Sequence, residues 1–491
     1  MTSQPSLLAP TVRRDGPTPT GIPVPTSSGY ARIIAVLAFT GVIAAGMQSL
    51  IVPLIGQLPA ILGASPDDAV WAITATLLAS AVSIPIVGRL GDMVGKRRML
   101  VLSLIPLIVG SVLCAMAGSL LPMVAGRALQ GLGMGVIPLG ISLLRELLPT
   151  DRVGPAVATM SASMGIGGAI ALPFAAAIAE YASWRGMFWA FAGFAALALA
   201  AVVWLVPKGA SGTKGESFDF LGAILLAGSL VSLLLAISKG AAWGWLSTPV
   251  IGLFVAAAVL LVLWVRQELR TQHPLVNVRS LTTRPVALTN LASFLIGFAM
   301  FAQGLVIPQL MQLPEQTGYG LGQSMLQMAL WLIPGGITMM IASALGSRLT
   351  SRRGPKTTLV SGAAVVALGY GASLLLLGTV WGLMIAVIVI SAGVGLAYGA
   401  IPMLVMGSVS PSETAAANGF NTLVRSVGTS GASALIGVIL AALSTDVAGH
   451  MVPALSGFQL TLVIGGGAAL LAAAVALCIP RAGRRAASIA A

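Results

Sequence analysis

The sequence GRLGDMVGKRR, residues 88–98, is a basic, glycine-containing stretch between two long apolar segments. These segments, residues 69–88 and 99–126, contain no Asp, Glu, Lys or Arg. Each is long enough to cross a bilayer as one helix of roughly 20 residues. The stretch is therefore predicted to be a turn between two spanning helices, in which glycine permits close backbone approach and positive φ. Asp92 is its one acidic residue, and its Lys and Arg residues mark the cytoplasmic side.

The composition is that of an integral membrane protein. Of the 491 residues, 57% are hydrophobic and 8% are charged, against about 25% charged in soluble proteins. The formal net charge of +13 comes from short basic clusters without interleaved aromatics, which excludes nucleic acid as a partner. Cys114 and Cys478 both lie in apolar segments, so neither a disulfide framework nor a thiolate metal cluster is expected.

Charges and turn residues divide the chain into fourteen predicted spanning helices. Their predicted ranges are 32–55, 69–88, 99–118, 120–144, 154–180, 186–206, 219–238, 248–265, 286–311, 321–346, 357–378, 381–405, 414–443 and 457–480. We predict an all-α integral membrane fold of two six-helix bundles plus two inserted helices. Its parts are a disordered cytoplasmic tail at 1–30, an N-terminal bundle at 31–206, an inserted pair at 219–265, a C-terminal bundle at 286–480 and a cytoplasmic tail at 481–491.

The basic residues set the orientation. Of the 26 Lys and Arg residues, all but Arg127, Arg185, Lys239 and Arg425 fall on one side of the predicted spans. By the positive-inside rule this side is cytoplasmic, and so are both termini of a multi-pass protein of the cell membrane.

An internal repeat predicts that the two bundles share one orientation. Arg89-Leu90, Gly95 and Leu100-Val101 recur, at the same spacing, as Arg348-Leu349, Gly354 and Leu359-Val360. The copies are unequal, because Asp92 corresponds to Ser351. The acidic residue of the turn therefore belongs to the first copy.

The motifs resemble those of a known family. The stretch 88–98 resembles the signature loop between the second and third helices of the major facilitator superfamily, a family of secondary transporters. GRALQGLGMG at 126–135, SWRGMFW at 183–189 and the segment 411–434 resemble its 14-helix drug:proton antiporter branch. This resemblance implies alternating access and multidrug efflux from the cytoplasm or inner leaflet, with antibiotic resistance as a consequence and a proton gradient as the common driving force.

By the same resemblance, the loop is a conformational latch that stabilises the outward-open state through Asp92. Its predicted members are Gly88, Arg89, Gly91, Asp92, Gly95, Lys96, Arg97, Arg98 and Arg145. The physics is consistent, because an Asp near a helix N-terminus such as residues 411–414 gains about 0.3–1 kcal/mol from the helix dipole. Residues 410–413 are predicted to form a capping box that begins the thirteenth helix.

Arg127 and Arg425 lie well inside predicted helices, where a charge costs about 2.5–3.5 kcal/mol unless it faces a wet cavity or a partner. We expect both arginines to have a role in transport. The alternative is that each caps backbone carbonyls of a neighbouring helix. The candidate coupling and cavity residues are Arg127, Gln130, Gln48 and Arg425.

The substrate cavity is expected near the midplane between the bundles. Its predicted polar or polarizable lining is Met47, Gln48, Gln57, Gln130, Met134, Phe294, Phe298, Phe301, Gln303 and Tyr398. Because this set holds no carboxylate and Arg127 is nearby, neutral or anionic amphiphiles are favoured over dications.

Two segments depart from the antiporter branch. Where the branch carries an Asp in its first helix, this chain has QSLIVP at 48–53. The fifth-helix packing motif is matched in part, by Gly165, Gly167, Gly168 and Pro173. None of the 13 acidic residues falls in the middle of a predicted helix, so the possible proton sites are interfacial: Glu146, Glu180 and Glu315.

We expect a secondary active transporter that exports hydrophobic or amphiphilic drugs or secondary metabolites, driven by proton antiport. The alternative is a lipid or metabolite exporter of the same fold with weak or no proton coupling, which the missing first-helix acid favours. An enzyme is not expected, because no metal or nucleophile constellation is visible and no cofactor is implied. The expected partners are a small-molecule substrate, protons and the lipid bilayer, with the protein acting as a monomer.

Overall fold

The computed structural model describes residues 27–51, 54, 58–64, 69, 71–181, 183–207, 218–272, 274–410, 413–447 and 450–480. The predicted tail at 481–491, residues 1–26 of the predicted tail at 1–30, and Gln57 lie outside these ranges. The first helix already begins at Ser27, because Tyr30 and Ile33 join the buried apolar core.

Fourteen helices of the described chain are long and apolar enough to cross a membrane, as predicted. We number them α1 Ser27–Ser49, α2 Trp71–Val94, α3 Lys96–Met116, α4 Leu120–Leu147, α5 Thr150–Tyr181, α6 Trp184–Leu205, α7 Phe220–Trp243, α8 Thr248–Arg270, α9 Arg284–Gln312, α10 Met325–Arg353, α11 Pro355–Leu375, α12 Val380–Met406, α13 Thr414–Ala442 and α14 Leu455–Leu477. A short 3-10 turn at Gly133–Gly135 interrupts α4.

Smaller elements connect the long helices. Short α-helices occupy Leu58–Leu62 and Val278–Leu281, and a 3-10 turn occupies Glu315–Thr317. Where the sequence predicted only a connection, strands β1 Ser444–Val447 and β2 His450–Pro453 form an antiparallel hairpin. The Tyr319 hydroxyl donates to the Pro453 carbonyl at 2.5 Å and holds this hairpin against the α9–α10 connection.

The predicted turn over residues 88–98 is much shorter than expected. Helix α2 continues through Val94 and α3 begins at Lys96, so Gly95, with φ of 110°, is the one non-helical residue between them. The helix continues because Gly88 and Gly91 pack against neighbouring helices. The repeat uses the same device, since Gly354, with φ of 85°, separates α10 from α11.

Helices α1–α6 and α9–α14 form two six-helix bundles, each with its own apolar core. The inserted pair, α7 and α8, packs on α2 and α13 along the outside of both bundles. The Ser238 and Thr74 hydroxyls lie 3.1 Å apart, and Trp264 stacks on Phe420 with ring centroids 6.3 Å apart. The predicted arrangement of two six-helix bundles plus two inserted helices is thus confirmed.

The largest contacts between the bundles are those of α2 with α13 and of α5 with α10, and we call these two contacts the seams. Smaller contacts of α5 with α12 and of α4 with α13 lie beside them. In the internal repeat α2 corresponds to α10 and α5 to α13, so the two seams are equivalent. We call the end that contains Gly95 and Gly354 the basic end, and the end that contains the β-hairpin the opposite end.

Candidate functional site

A cluster of charged groups at the basic end joins the two bundles through Asp92. Its Oδ2 atom accepts the backbone N–H of Ala416, at 3.1 Å, in the first turn of α13. The Lys96 ammonium lies 3.8 Å from Asp92 Oδ1 and 3.3 Å from Glu146 Oε2. A helix N-terminus stabilises a carboxylate through its dipole as well as through the hydrogen bond. In the structure, the latch comprises Asp92, Lys96, Arg145, Glu146 and residues 414–416.

Arg145 and Glu413 extend this contact. Arg145 Nη1 donates to Thr414 Oγ1 at 2.6 Å, so α4 of the first bundle reaches the first residue of α13. Glu413 precedes α13 but makes no capping hydrogen bond to it. Its carboxylate instead accepts from Asn277 Nδ2 at 2.9 Å and Ser280 Oγ at 3.4 Å. The segment after α8 thus engages the Glu413 side chain, and the predicted capping box at 410–413 stays a prediction because residues 411 and 412 lie outside the described part of the chain.

Close approach of α2 to α13 depends on Gly88. A Cβ atom on Gly88 would lie 2.9 Å from the Ala415 carbonyl oxygen, a backbone atom that cannot rotate away. On Gly91 it would lie 2.5 Å from Leu139 Cδ2, the end of a flexible side chain in the same bundle. Gly88 therefore permits contact between the bundles, whereas Gly91 packs within one.

The other predicted latch arginines lie in different environments. Arg97 Nη2 donates to the Val203 carbonyl at 2.7 Å and ties α3 to the end of α6. Arg89 is half-buried and Arg98 is exposed. The structure thus brings only part of the predicted set to the contact between the bundles.

A cavity of about 670 Å³ lies between the bundles. It is lined by Ser49 at the end of α1, Gln312 at the end of α9 and Met325 at the start of α10, which places it toward the opposite end. Its volume is within the range of about 300–1,000 Å³ that small-molecule sites occupy. Most of its described wall is apolar, and none of the described residues that line it is charged.

The predicted lining and the observed lining overlap at Gln303. Gln48 is exposed, whereas Met47, Gln130 and Met134 are buried in the first bundle. The prediction missed the methionines that dominate the wall: Met164, Met300, Met325, Met328 and Met339. The spacing of the three on α10, which puts them on one helical face, was the available signal.

The predicted packing glycines of α5 serve different neighbours. A Cβ atom on Gly165 would lie 2.5 Å from Met339 Sδ in the other bundle. On Gly167 it would lie 2.4 Å from the Val42 carbonyl oxygen of α1, in the same bundle. Gly168 lines the cavity, and Pro173 lies inside α5.

Arg127 is 1% exposed and is satisfied by neighbouring helices. Its Nε atom donates to the Ala72 carbonyl at 2.9 Å, and Nη1 donates to the Met47 carbonyl at 3.0 Å and to Gln130 Oε1 at 2.7 Å. Gln130 in turn donates to Ser111 Oγ at 2.9 Å. Because α1 ends at Ser49, the Met47 carbonyl belongs to its last turn, where carbonyls lack helical partners. This is the capping alternative, and neither Arg127 nor Gln130 lines the cavity.

Arg425 of α13 is 9% exposed and has a different environment. Its guanidinium carbon lies 4.7 Å from the Tyr398 ring centroid, and Nη2 lies 4.0 Å from Met164 Sδ. Within the described chain it has no carboxylate partner, and no oxygen accepts a hydrogen bond from it. The two buried arginines, which the sequence treats alike, therefore differ in their bonding.

The three carboxylates predicted as possible proton sites lie in different parts of the structure. Glu146 is the latch partner of Lys96, whereas Glu315 is exposed at the opposite end. Glu180 belongs to α5, and its side chain lies outside the described part of the structure.

Sequence reasoning missed a buried acid on the inserted pair. Glu268 is 4% exposed, because the segment after α8 folds over it, and its Oε2 atom accepts the Val276 N–H at 3.3 Å. Position alone, two residues before the end of α8, indicated an interfacial side chain. Among the described residues, no three His, Cys, Asp or Glu side chains come together as metal ligands.

The two bundles, the seam at the basic end and the cavity define a membrane transporter. The Major Facilitator Superfamily profile matches residues 37–219 and 215–433. The chain belongs to this superfamily.

Relatives within the superfamily resemble most of the chain. An uncharacterized MFS-type transporter of Mycobacterium tuberculosis is 29% identical over 444 residues, which cover 88% of this chain and 63% of that protein. The chain thus spans less than two thirds of that relative. Multidrug resistance protein 3 of Bacillus subtilis is 26% identical over 79% of this chain and 75% of its own length. The probable actinorhodin transporter of Streptomyces coelicolor is 29% identical over 89% and 77%.

A solved structure shares the fold. The human organic anion transporter MFSD10 matches with a TM-score of 0.64 over 91% of this chain and 99% of that chain. Its sequence identity of 14% limits the likeness to the fold.

Proposed function

We propose that this chain exports hydrophobic or amphiphilic drugs or secondary metabolites by alternating access, driven by proton antiport. The observation that carries the proposal is the cavity of about 670 Å³ between the bundles, with the latch joining them at the basic end. A site that one end can reach while the other end is closed is what alternating access requires. With both termini in the cytoplasm of a cell-membrane protein, this arrangement is outward-facing.

The chemistry of the cavity favours varied apolar ligands. Methionine side chains are flexible and polarizable, so Met325, Met328 and Met339 can repack around different shapes. Glutamine amides at positions 303, 309 and 312 offer hydrogen bonds without demanding a charge. The multidrug resistance protein and the probable actinorhodin transporter among the relatives support the same substrate range.

The latch offers a route for proton coupling. Lys96 lies between the carboxylates of Asp92 and Glu146, and the Asp92 carboxylate accepts a hydrogen bond from the second bundle. A proton on Asp92 would remove the negative charge that α13 and Lys96 hold. Protonation would therefore release the basic end, and deprotonation would close it again.

Collapse of the proton gradient is expected to abolish export. The measurement is uptake of dansyl-undecanamide, a neutral fluorescent amphiphile, into inverted membrane vesicles with and without a protonophore. Vesicles from cells that lack the protein are the control. Uptake that persists after collapse of the gradient would contradict proton antiport.

The same experiment tests the alternative, a lipid or metabolite exporter with weak or no proton coupling. This alternative is favoured by the cavity itself, because none of its described lining residues is Asp or Glu. It predicts uptake that is insensitive to the protonophore.

Gly88→Ala is expected to slow uptake about 5-fold. The added methyl forces α2 and α13 apart and weakens the charge-assisted Asp92–Ala416 hydrogen bond by about 1 kcal/mol, which corresponds to about 5-fold. Initial uptake rates at matched protein amounts measure the effect. Gly91→Ala is the matched control, since the one close contact of its methyl would be with the end of the Leu139 side chain, in the same bundle. Equal losses in both variants would count against a role of Gly88 between the bundles.

A further inference from the structure

We propose that Arg425 binds the negative charge of an amphiphilic monoanion whose apolar part occupies the cavity. The inference rests on the proposed export function and names its substrate class. It assigns to this residue a carboxylate or sulfonate group of the substrate.

The first step is that the Arg425 guanidinium has N–H donors that no oxygen of the described chain accepts. Arg127 donates to two backbone carbonyls and one side-chain amide. Arg425 is also more than nine-tenths buried, yet in the described chain its guanidinium contacts an aromatic ring and a thioether sulfur and donates to no oxygen, although Asn418 and Asn421 line the same void. A guanidinium carries five N–H donors, and a buried cation without an acceptor is costly. A bound anion would satisfy it.

The second step is that Arg425 lies next to the cavity. It lines a separate void of about 10 Å³, which is close to the volume that one water molecule needs. Met164 lines both this void and the cavity, so its side chain is the wall between them. Met300 lines the cavity too, and its Sδ atom accepts the Tyr398 hydroxyl at 3.1 Å.

The third step is that this wall can move. Methionine is unbranched and has three rotatable bonds, so Met164 can swing aside without movement of the backbone. The Arg425 head would stay in place, because its aliphatic stem packs against Gly297 and its guanidinium lies over Tyr398. A Cβ atom on Gly297 would lie 2.7 Å from Arg425 Cγ.

The chemistry then sets the ligand class. A guanidinium fork matches the two oxygens of a carboxylate or sulfonate in a bidentate pair. No other described residue that lines the void or the cavity is charged. The site therefore pairs with a ligand that carries a single negative charge. The methionine-lined cavity takes the apolar tail.

The test compares dansyl-undecanoate with dansyl-undecanamide, which differ in charge and share the tail. Fluorescence titration of the purified full-length protein should show the acid binding about 30-fold more tightly than the amide. Arg425→Gln should abolish this preference and leave the affinity for the amide unchanged. Arg352→Gln removes an exposed arginine and should keep the preference. A wild-type protein that binds both probes equally, or an Arg425→Gln variant that keeps the preference, would overturn the proposal.

A second pair of variants tests the wall and does not depend on the folding of Arg425→Gln. Met164→Phe replaces a flexible side chain by a rigid ring and should weaken binding of the acid without weakening binding of the amide. Met164→Leu should behave like the wild type. Unchanged acid binding in Met164→Phe would contradict access past Met164. Vesicle uptake of the amide without preference for the acid would overturn this inference and leave the export function standing, whereas uptake of neither probe would overturn both.

Discussion

Asp92→Asn is expected to slow export about 100-fold while the protein still inserts and folds. The substitution keeps the shape of the side chain but removes the charge that the α13 N-terminus and Lys96 hold. The charge-assisted hydrogen bond and the helix dipole together account for about 2–3 kcal/mol, which corresponds to roughly 100-fold in the ratio of closed to open basic ends. Export falls because every cycle must pass through the state that the latch closes.

Initial uptake rates in inverted vesicles measure this effect, and the amount of protein in the membrane is measured in parallel. Ser351→Asn is the matched control, because Ser351 is the counterpart of Asp92 in the repeat and is exposed. Export by Asp92→Asn at the rate of the wild type would show that the contact is not part of the cycle.

Arg127→Gln is expected to lower the free energy of unfolding by about 3 kcal/mol. The shorter side chain leaves the buried Met47 carbonyl without its donor, at a cost of about 1–3 kcal/mol, and removes a second bond to the Ala72 carbonyl, which keeps its partner within α2. These bonds connect α4 with α1 and α2, so the substitution removes hydrogen bonds between helices of the first bundle. Thermal unfolding of the purified protein in detergent measures the loss.

Arg352→Gln again provides the control, since an exposed substitution changes stability by less than about 0.5 kcal/mol. If Arg127→Gln were as stable as the wild type but inactive in export, the bonding of Arg127 would not be structural. The coupling role predicted from the sequence would then be restored.

Most of the fold can be predicted from the sequence because the bilayer restricts the structures that can cross it. A span needs about 20 apolar residues, and lipid leaves the backbone no alternative to a helix. The fourteen helices follow from that rule, the repeat follows from the matched residues of the two halves, and Asp92 as the contact between bundles was implied by the family resemblance of the loop 88–98. The length of the turn did not follow, because helical packing of Gly88 and Gly91 cannot be distinguished from a glycine turn in the sequence alone.

The contents of the site were harder to predict. Arg127 and Arg425 are both isolated cations in apolar segments, and the difference between them depends on which carbonyls distant helices present. Burial of Glu268 depends likewise on a segment that folds back after α8. Such long-range contacts leave no periodic signal, whereas the methionine face of α10 does.

Distances between the bundles at each end test the central claim of alternating access. Spin labels at Asp151 and Ser351 report on the basic end, and labels at Ser119 and Gln316 report on the opposite end. All four positions are exposed. Pulsed electron–electron double resonance gives the distance distribution of each pair. The exposed Cys478 is replaced by serine so that the spin label does not react there. Cys114 is kept, because it is buried.

The account predicts opposite changes at the two ends. Asp92→Asn should lengthen the Asp151–Ser351 distance as the latch opens and shorten the Ser119–Gln316 distance as the cavity closes. Distributions that are identical in the wild type and in Asp92→Asn at both ends would contradict it.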